Sequence, residues 1–317
     1  MAVPEPLGLT RRTVLTGATA LITAAVLTTA RPAHAAGLPQ IRAAAAGWTG
    51  RGGELLVLTA DPATEADYAL RLLTPTENPD AGAELGPPLP LPLPAGFHPH
   101  SMAALGDALW ITGAAELARD RARPALVRVR DSKAAYAELP VPKTIRSGIA
   151  TAVAPLGTRG LAVAVEGGPD PHLAVISSAH LALSGDGGRT WADRPLATGL
   201  GEGYGTVLAP AGRGLFAATA DGQGTQTVHI ARTAARVTRA AAIPDAGRPM
   251  AAVAYDDHVS VFSDQGGTVA ETRFTASGAP LEAAPACACR GEILAVPGRP
   301  GTWLEIDGQT IHIRGIA

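Results

Sequence analysis

Cysteine is scarce in this sequence: Cys287 and Cys289 are the only two in 317 residues. A pair so close together cannot staple a domain of this size, so an apolar core has to hold it. On a strand both thiols share one face with their Cα atoms near the limit for a disulfide, and two buried or bridged thiols are expected there. A two-thiolate metal site would need a distant ligand such as His312. Aromatic residues are also few, at 4%, which leaves Val, Leu, Ile and Ala to build the core. The alanine excess reads as genomic base composition rather than a packing demand. Excess charge of either sign is missing, with a formal net charge of −2. No basic surface argues for a nucleic-acid partner and no charge run forms an interaction tail.

The N-terminus has a polar start, the pair Arg11-Arg12 within Leu9-Thr10-Arg11-Arg12-Thr13-Val14-Leu15, an apolar run from Val14 to Ala30, and the small residues of Pro32-Ala33-His34-Ala35. This pattern reads as a twin-arginine export signal, residues 1–35, cleaved to release a domain of residues 36–317. Threonines at 13, 16, 19, 23, 28 and 29 dilute the apolar run. A helix that stays in the bilayer needs about twenty strongly apolar residues, so no permanent membrane anchor is expected. The expected location is outside the cytoplasm, in the cell envelope or beyond.

Helical periods are scarce after the signal. What recurs is a short apolar run, a turn and a second short run, the pattern of β-hairpins. Met102-Ala103-Ala104-Leu105 turns at Gly106-Asp107 into Ala108-Leu109-Trp110-Ile111, and similar pairs flank Gly157, Gly212 and Asp256-Asp257. Weaker copies lie near Gly52 and Gly291. Their spacing of about 35 to 55 residues falls in the range of propeller blades. The expectation is an all-β, single β-propeller of six blades, or seven if the stretch from Gly53 to Leu93 hides a unit. Ring closure is expected to mix strands from the two ends of the chain, with Ile311-His312-Ile313 beside Leu38-Pro39-Gln40-Ile41. The proline run from Gly86 to Pro94 removes ladder donors and reads as a surface connection.

One motif is specific. Ser184-Gly185-Asp186-Gly187-Gly188-Arg189-Thr190-Trp191 has the form Ser-x-Asp-x-Gly-x-Thr-Trp. It resembles the Asp-box, or BNR repeat, of the sialidase-like β-propellers. The Asp and Ser side chains can fold the turn through local backbone bonds, and Trp191 can pack on a neighbouring turn. The resemblance implies a structural role at the blade edge for Ser184, Asp186, Gly188, Thr190 and Trp191, between the two outer strands of a blade. Asp264-Gln265-Gly266-Gly267-Thr268 reads as a decayed copy. A sialidase-like hydrolase would also be expected to carry an early Arg-Ile-Pro motif. None occurs, and Ile41-Arg42 is the nearest early arginine in an unlike context.

If the shared hairpins begin with inner strands, the residues before them converge on one mouth of the ring. That places His98, His100, Arg146, Glu202, Tyr204 and Arg248 there. His100, Arg146, Tyr204 and Arg248 are the expected ligand-binding set, for a small anionic or sugar-like ligand, with a protein partner as the other option. His98-Pro99-His100 offers only a weak metal pattern without a neighbouring carboxylate or cysteine. No nucleophile elbow, phosphate loop or His-Glu-x-x-His motif is present. No catalytic residue, cofactor or metal is assigned. The expected function is an exported, non-catalytic propeller that binds through its funnel face, with a sialidase-like glycoside hydrolase as the alternative.

Overall fold

A computed structural model describes residues 39–48, 54–61, 67–77, 82–118, 121–170, 176–198, 204–212, 214–233, 236–281, 289, 291–308 and 310–315. Segment 1–35 with Arg11 and Arg12, and also Gly52, Glu202 and Cys287, lie outside these residues.

The described chain is all strand and turn, in six antiparallel sheets met one after another. The first holds β1 (Gln40–Ala46), β2 (Leu55–Ala60), β3 (Tyr68–Pro75), β4 (Ala83–Leu85) and β5 (Leu89–Pro90). The second holds β6 (Phe97–Leu105), β7 (Ala108–Ala118), β8 (Arg121–Arg130) and β9 (Lys133–Ala137). The third holds β10 (Ser147–Leu156), β11 (Gly160–Gly168), β12 (Ser178–Ser184) and β13 (Ala192–Thr198). In the fourth are β14 (Tyr204–Ala211), β15 (Gly214–Ala220), β16 (Gln226–Thr233) and β17 (Arg236–Ile243). The fifth has β18 (Arg248–Ala254), β19 (His258–Asp264) and β20 (Val269–Thr275), and the sixth β21 (Glu292–Ala295), β22 (Trp303–Asp307) and β23 (Thr310–Arg314).

The first strand of each sheet contacts the first strand of the next, from β1 through β6, β10, β14, β18 and β21 back to β1. The sheets are therefore blades around an axis, and the fold is a six-bladed β-propeller. Among the described residues from 54 to 93 there is no extra blade, because β2 to β5 all belong to the first sheet. Leu89 and Pro90 pair with β3 at its edge, so the proline run is a surface connection that also adds two residues to a blade.

Strand alternation explains the core. Side chains one residue apart face the two neighbouring blades, so each inter-blade gap collects its own apolar cluster. Leu56, Leu58, Met102, Ile111 and Val127 fill the gap between blades 1 and 2. Val57, Leu73, Leu304, Ile306 and Ile311 fill the gap between blades 6 and 1. Four more clusters fill the remaining gaps. Alanine concentrates where strands converge on the axis: Ala43 to Ala46 on β1, Ala150, Ala152 and Ala154 on β10, and Ala251 and Ala252 on β18 are all buried. On these inner strands alanine answers a packing demand, since a larger side chain would not fit where the blades converge.

Closure differs from the expected strand mixing. β23 pairs with β22 and β1 pairs with β2, so the first and last described strands stay each in its own blade. The seam is closed by the apolar cluster between blades 6 and 1 and by a hydrogen bond from the Ala46 N–H to the Pro297 carbonyl, 2.9 Å. The sixth hairpin turn is correspondingly Val296 to Thr302, while Gly291 precedes β21. Two prolines and two glycines crowd that turn and obscure it in the sequence.

Candidate functional site

A cavity of about 600 Å³ opens on the axis. Its mouth lies where the inner strands begin. Five of these strands carry a register shift near their start, and the shift falls at Arg42, His100, Thr151, Gly205-Thr206 and Met250. A bulge adds a residue and re-aims its side chain. Arg42, His100, Thr151, Thr206 and Met250 all line the cavity. The ring thus presents one side chain from each of five blades to a single space.

These residues are linked across blades. His100 Nδ1 lies 2.9 Å from the Thr151 carbonyl, and Thr151 Oγ1 donates to the Thr206 carbonyl at 2.8 Å. Thr206 Oγ1 is 2.5 Å from Glu166 Oε1, and the Gly205 N–H donates to Glu166 Oε2 at 3.2 Å. Thr206 Oγ1 also lies 3.0 Å from Thr219 Oγ1. Glu166, at the inner end of β11, is buried yet lines the cavity. Burial pushes its carboxyl above the ordinary range, while the bonds from Thr206 and Gly205 and the neighbouring Arg248 guanidinium pull the other way. Asp264 and Glu292 bring the carboxylates of the lining to three, against the two arginines Arg42 and Arg248.

Of the expected binding set, the structure brings His100 and Arg248 together in the lining. Arg146 is exposed, gives its backbone N–H to the Gly168 carbonyl, and is not part of the lining. Tyr204 begins β14 opposite Ala220, and its side chain lies outside the described set. His98 and His100 have different partners, His98 lying 3.8 Å from Glu116. Cys289, also in the lining, is disulfide-bonded. Thr151, Thr206 and Arg42 escape a reading of leading residues because a bulge changes which residue faces the axis, and Glu166 escapes it because it ends a second strand. Pro99 and Pro249, each directly before a bulged residue, are a sequence signal for the bulges at His100 and Met250 only.

The Ser184 to Trp191 turn joins β12 to β13, between the two outer strands of blade 3. Antiparallel alternation puts this connection at the end of the blade opposite the cavity mouth. Asp186 Oδ1 accepts from the Thr190 N–H at 2.9 Å, the Arg189 N–H at 3.1 Å and Ser184 Oγ at 2.9 Å, and Oδ2 accepts from Thr190 Oγ1 at 2.7 Å. Ser184 Oγ in turn accepts from the Gly188 N–H at 2.8 Å. The Thr190 and Ser184 bonds hold the Asp186 carboxyl well below its usual value, at about 2. Gly188 has φ +81°, and a Cβ there would stand 2.8 Å from the Trp110 ring of blade 2. Trp191 packs on the cluster between blades 2 and 3. The Asp264 turn does not occupy the equivalent place: it joins the second and third strands of its blade, at the cavity end, with the Gly267 N–H on Asp264 Oδ1 at 2.7 Å.

No family model matches the sequence, and no curated protein matches it. Solved structures do. A mutant of the Aleuria aurantia lectin in complex with Fucα1-6GlcNAc aligns with a TM-score of 0.57 at 13% identity, covering 88% of this chain and 97% of the lectin. The PQQ-bound aldose sugar dehydrogenase of Streptomyces coelicolor aligns with a TM-score of 0.54 at 14% identity, covering 92% and 93%. At these identities the likeness is one of fold, and that fold is the six-bladed β-propeller.

Proposed function

We propose that the chain is an exported, non-catalytic propeller that holds a small sugar-like ligand in its axial cavity. The carrying observation is the bulge in five inner strands, which turns Arg42, His100, Thr151, Thr206 and Met250 toward one space. Structural neighbours that are a fucose-binding lectin and an aldose sugar dehydrogenase support a ligand of this class. The Ser184 to Trp191 turn supports kinship with Asp-box propellers and a structural role for that turn. The Arg11-Arg12 pair supports export by the twin-arginine route. Titration of the mature domain with a panel of monosaccharides and disaccharides by calorimetry tests the binding reading, and heat from none of them would overturn it.

A second reading, a glycoside hydrolase, is favoured by one observation: the carboxylates Glu166, Asp264 and Glu292 share the cavity. Glycosidic cleavage generally uses two carboxyl groups in distinct environments. Release of nitrophenol from nitrophenyl glycosides, abolished in Glu166→Gln, would establish it over simple binding.

A further inference from the structure

We propose, on the reading that the axial cavity binds a sugar-like ligand, that Glu166 anchors hydroxyl groups of that ligand as a carboxylate, and that it releases them when it takes up a proton and Thr206 turns its own hydroxyl proton to Thr219. The single proton of Thr206 carries this. Thr206 Oγ1 stands 2.5 Å from Glu166 Oε1 and 3.0 Å from Thr219 Oγ1, placed to donate to either. A hydroxyl has one proton to give, so only one of these acceptors receives it at a time. With Glu166 ionised, the proton goes to Oε1. With Glu166 protonated, its own O–H donates to Thr206 Oγ1 and the Thr206 proton turns to Thr219. The Gly205 N–H stays on Oε2 at 3.2 Å in both arrangements. Thr206 is hydrogen-bonded in both, so the buried wall accommodates either charge on Glu166.

What changes is the acceptor that Glu166 offers to the cavity. Glu166 is buried and lines the cavity, so a molecule in that space is what can reach it. Gly205 and Thr206 occupy one lone pair on each carboxylate oxygen, and the second on each remains for a donor. A hydroxyl bonded to a carboxylate is held about twice as strongly as one bonded to a neutral acid. Burial raises the Glu166 carboxyl above its ordinary range, against the bonds from Thr206 and Gly205 and the Arg248 guanidinium, which brings protonation toward working conditions. Ile149 of β10 and Ala179 of β12, the strand neighbours opposite Glu166, do not titrate. Arg248 of β18 acts on it, and His98 and His100 of β6, Arg42 of β1, Asp264 of β19 and Glu292 of β21 share the lining. The histidines titrate too, so substitution has to isolate the share of Glu166.

The test is calorimetry of the mature domain with glucose, galactose and fucose, which carry no charge to titrate, from about pH 8 to about pH 4. The sugar that binds best is expected to lose about tenfold in affinity as pH falls through the Glu166 transition. Glu166→Gln should bind it about tenfold more weakly at the upper end of the range and lack that transition. Thr219→Val removes the second acceptor, disfavours the protonated arrangement, and should move the transition down by roughly half to one pH unit, whereas Thr219→Ser should leave it in place. Melting temperatures at each pH show which variants are folded, and if Glu166→Gln is not, the Thr219 variants decide. Affinity of the parent that is flat over the range, a transition that survives in Glu166→Gln, or one that Thr219→Val leaves unmoved would overturn the proposal and leave the cavity reading standing. Binding of none of the sugars at any pH would remove the cavity reading itself.

Discussion

Replacing Asp186 by Ala should lower the melting temperature and leave sugar affinity in the axial cavity unchanged. The carboxylate gathers two N–H groups and two hydroxyls of its own turn, far from the cavity mouth. Because the folded-state value is depressed to about 2, its contribution is fully present above the unfolded value near 3.8 and is lost as pH falls through about 2. His229 works at a milder pH. It is buried on β16 with Nε2 lacking a hydrogen-bond partner among the described residues, and burial, then Arg239, lowers it from 6.5 to about 4. The unfolded chain therefore binds the proton first, and stability should fall as pH drops from about 6.5 to about 4. At roughly 1.4 kcal/mol per pKa unit the loss is about 3 kcal/mol. Denaturant melts at pH 7 and pH 4 check this, and His229→Gln should flatten the difference between them.

At the scale of elements, the seam depends on the turn after β21. Gly298 has φ +93°, and a Cβ would stand 2.5 Å from the Ala46 carbonyl oxygen. Gly298→Val should disrupt the Ala46 to Pro297 bond and cost roughly 2 to 3 kcal/mol, read as a lower denaturation midpoint. The same change at Gly157, whose Cβ position is open, retains only the backbone cost and should do less. Strand alternation and turn residues made the hairpins of blades 2 to 5 readable, because both are local properties. The seam was not readable: an apolar cluster and one backbone bond between the first and sixth blades leave no local pattern, and Val296 to Thr302 mixes prolines with glycines. The site was half readable for the same reason. His100 and Arg248 lie near strand starts, where counting back from the hairpins finds them, whereas Glu166 comes from the far end of a second strand and Thr151 from a bulge with no preceding proline.

For the whole molecule, the proposed export by the twin-arginine route requires that replacing Arg11 and Arg12 together by Lys retain the protein in the cytoplasm. Fractionation of cells producing the two forms checks this, and equal amounts of mature protein outside the cytoplasm would count against the route. Among the described residues the first and last blades share no strand and each sheet is built from consecutive strands, and the six inter-blade gaps are filled in the same manner. A circular permutant that opens between β9 and β10 and joins residue 315 to residue 40 through a spacer of about ten residues, enough to cross one blade, should fold to the same architecture.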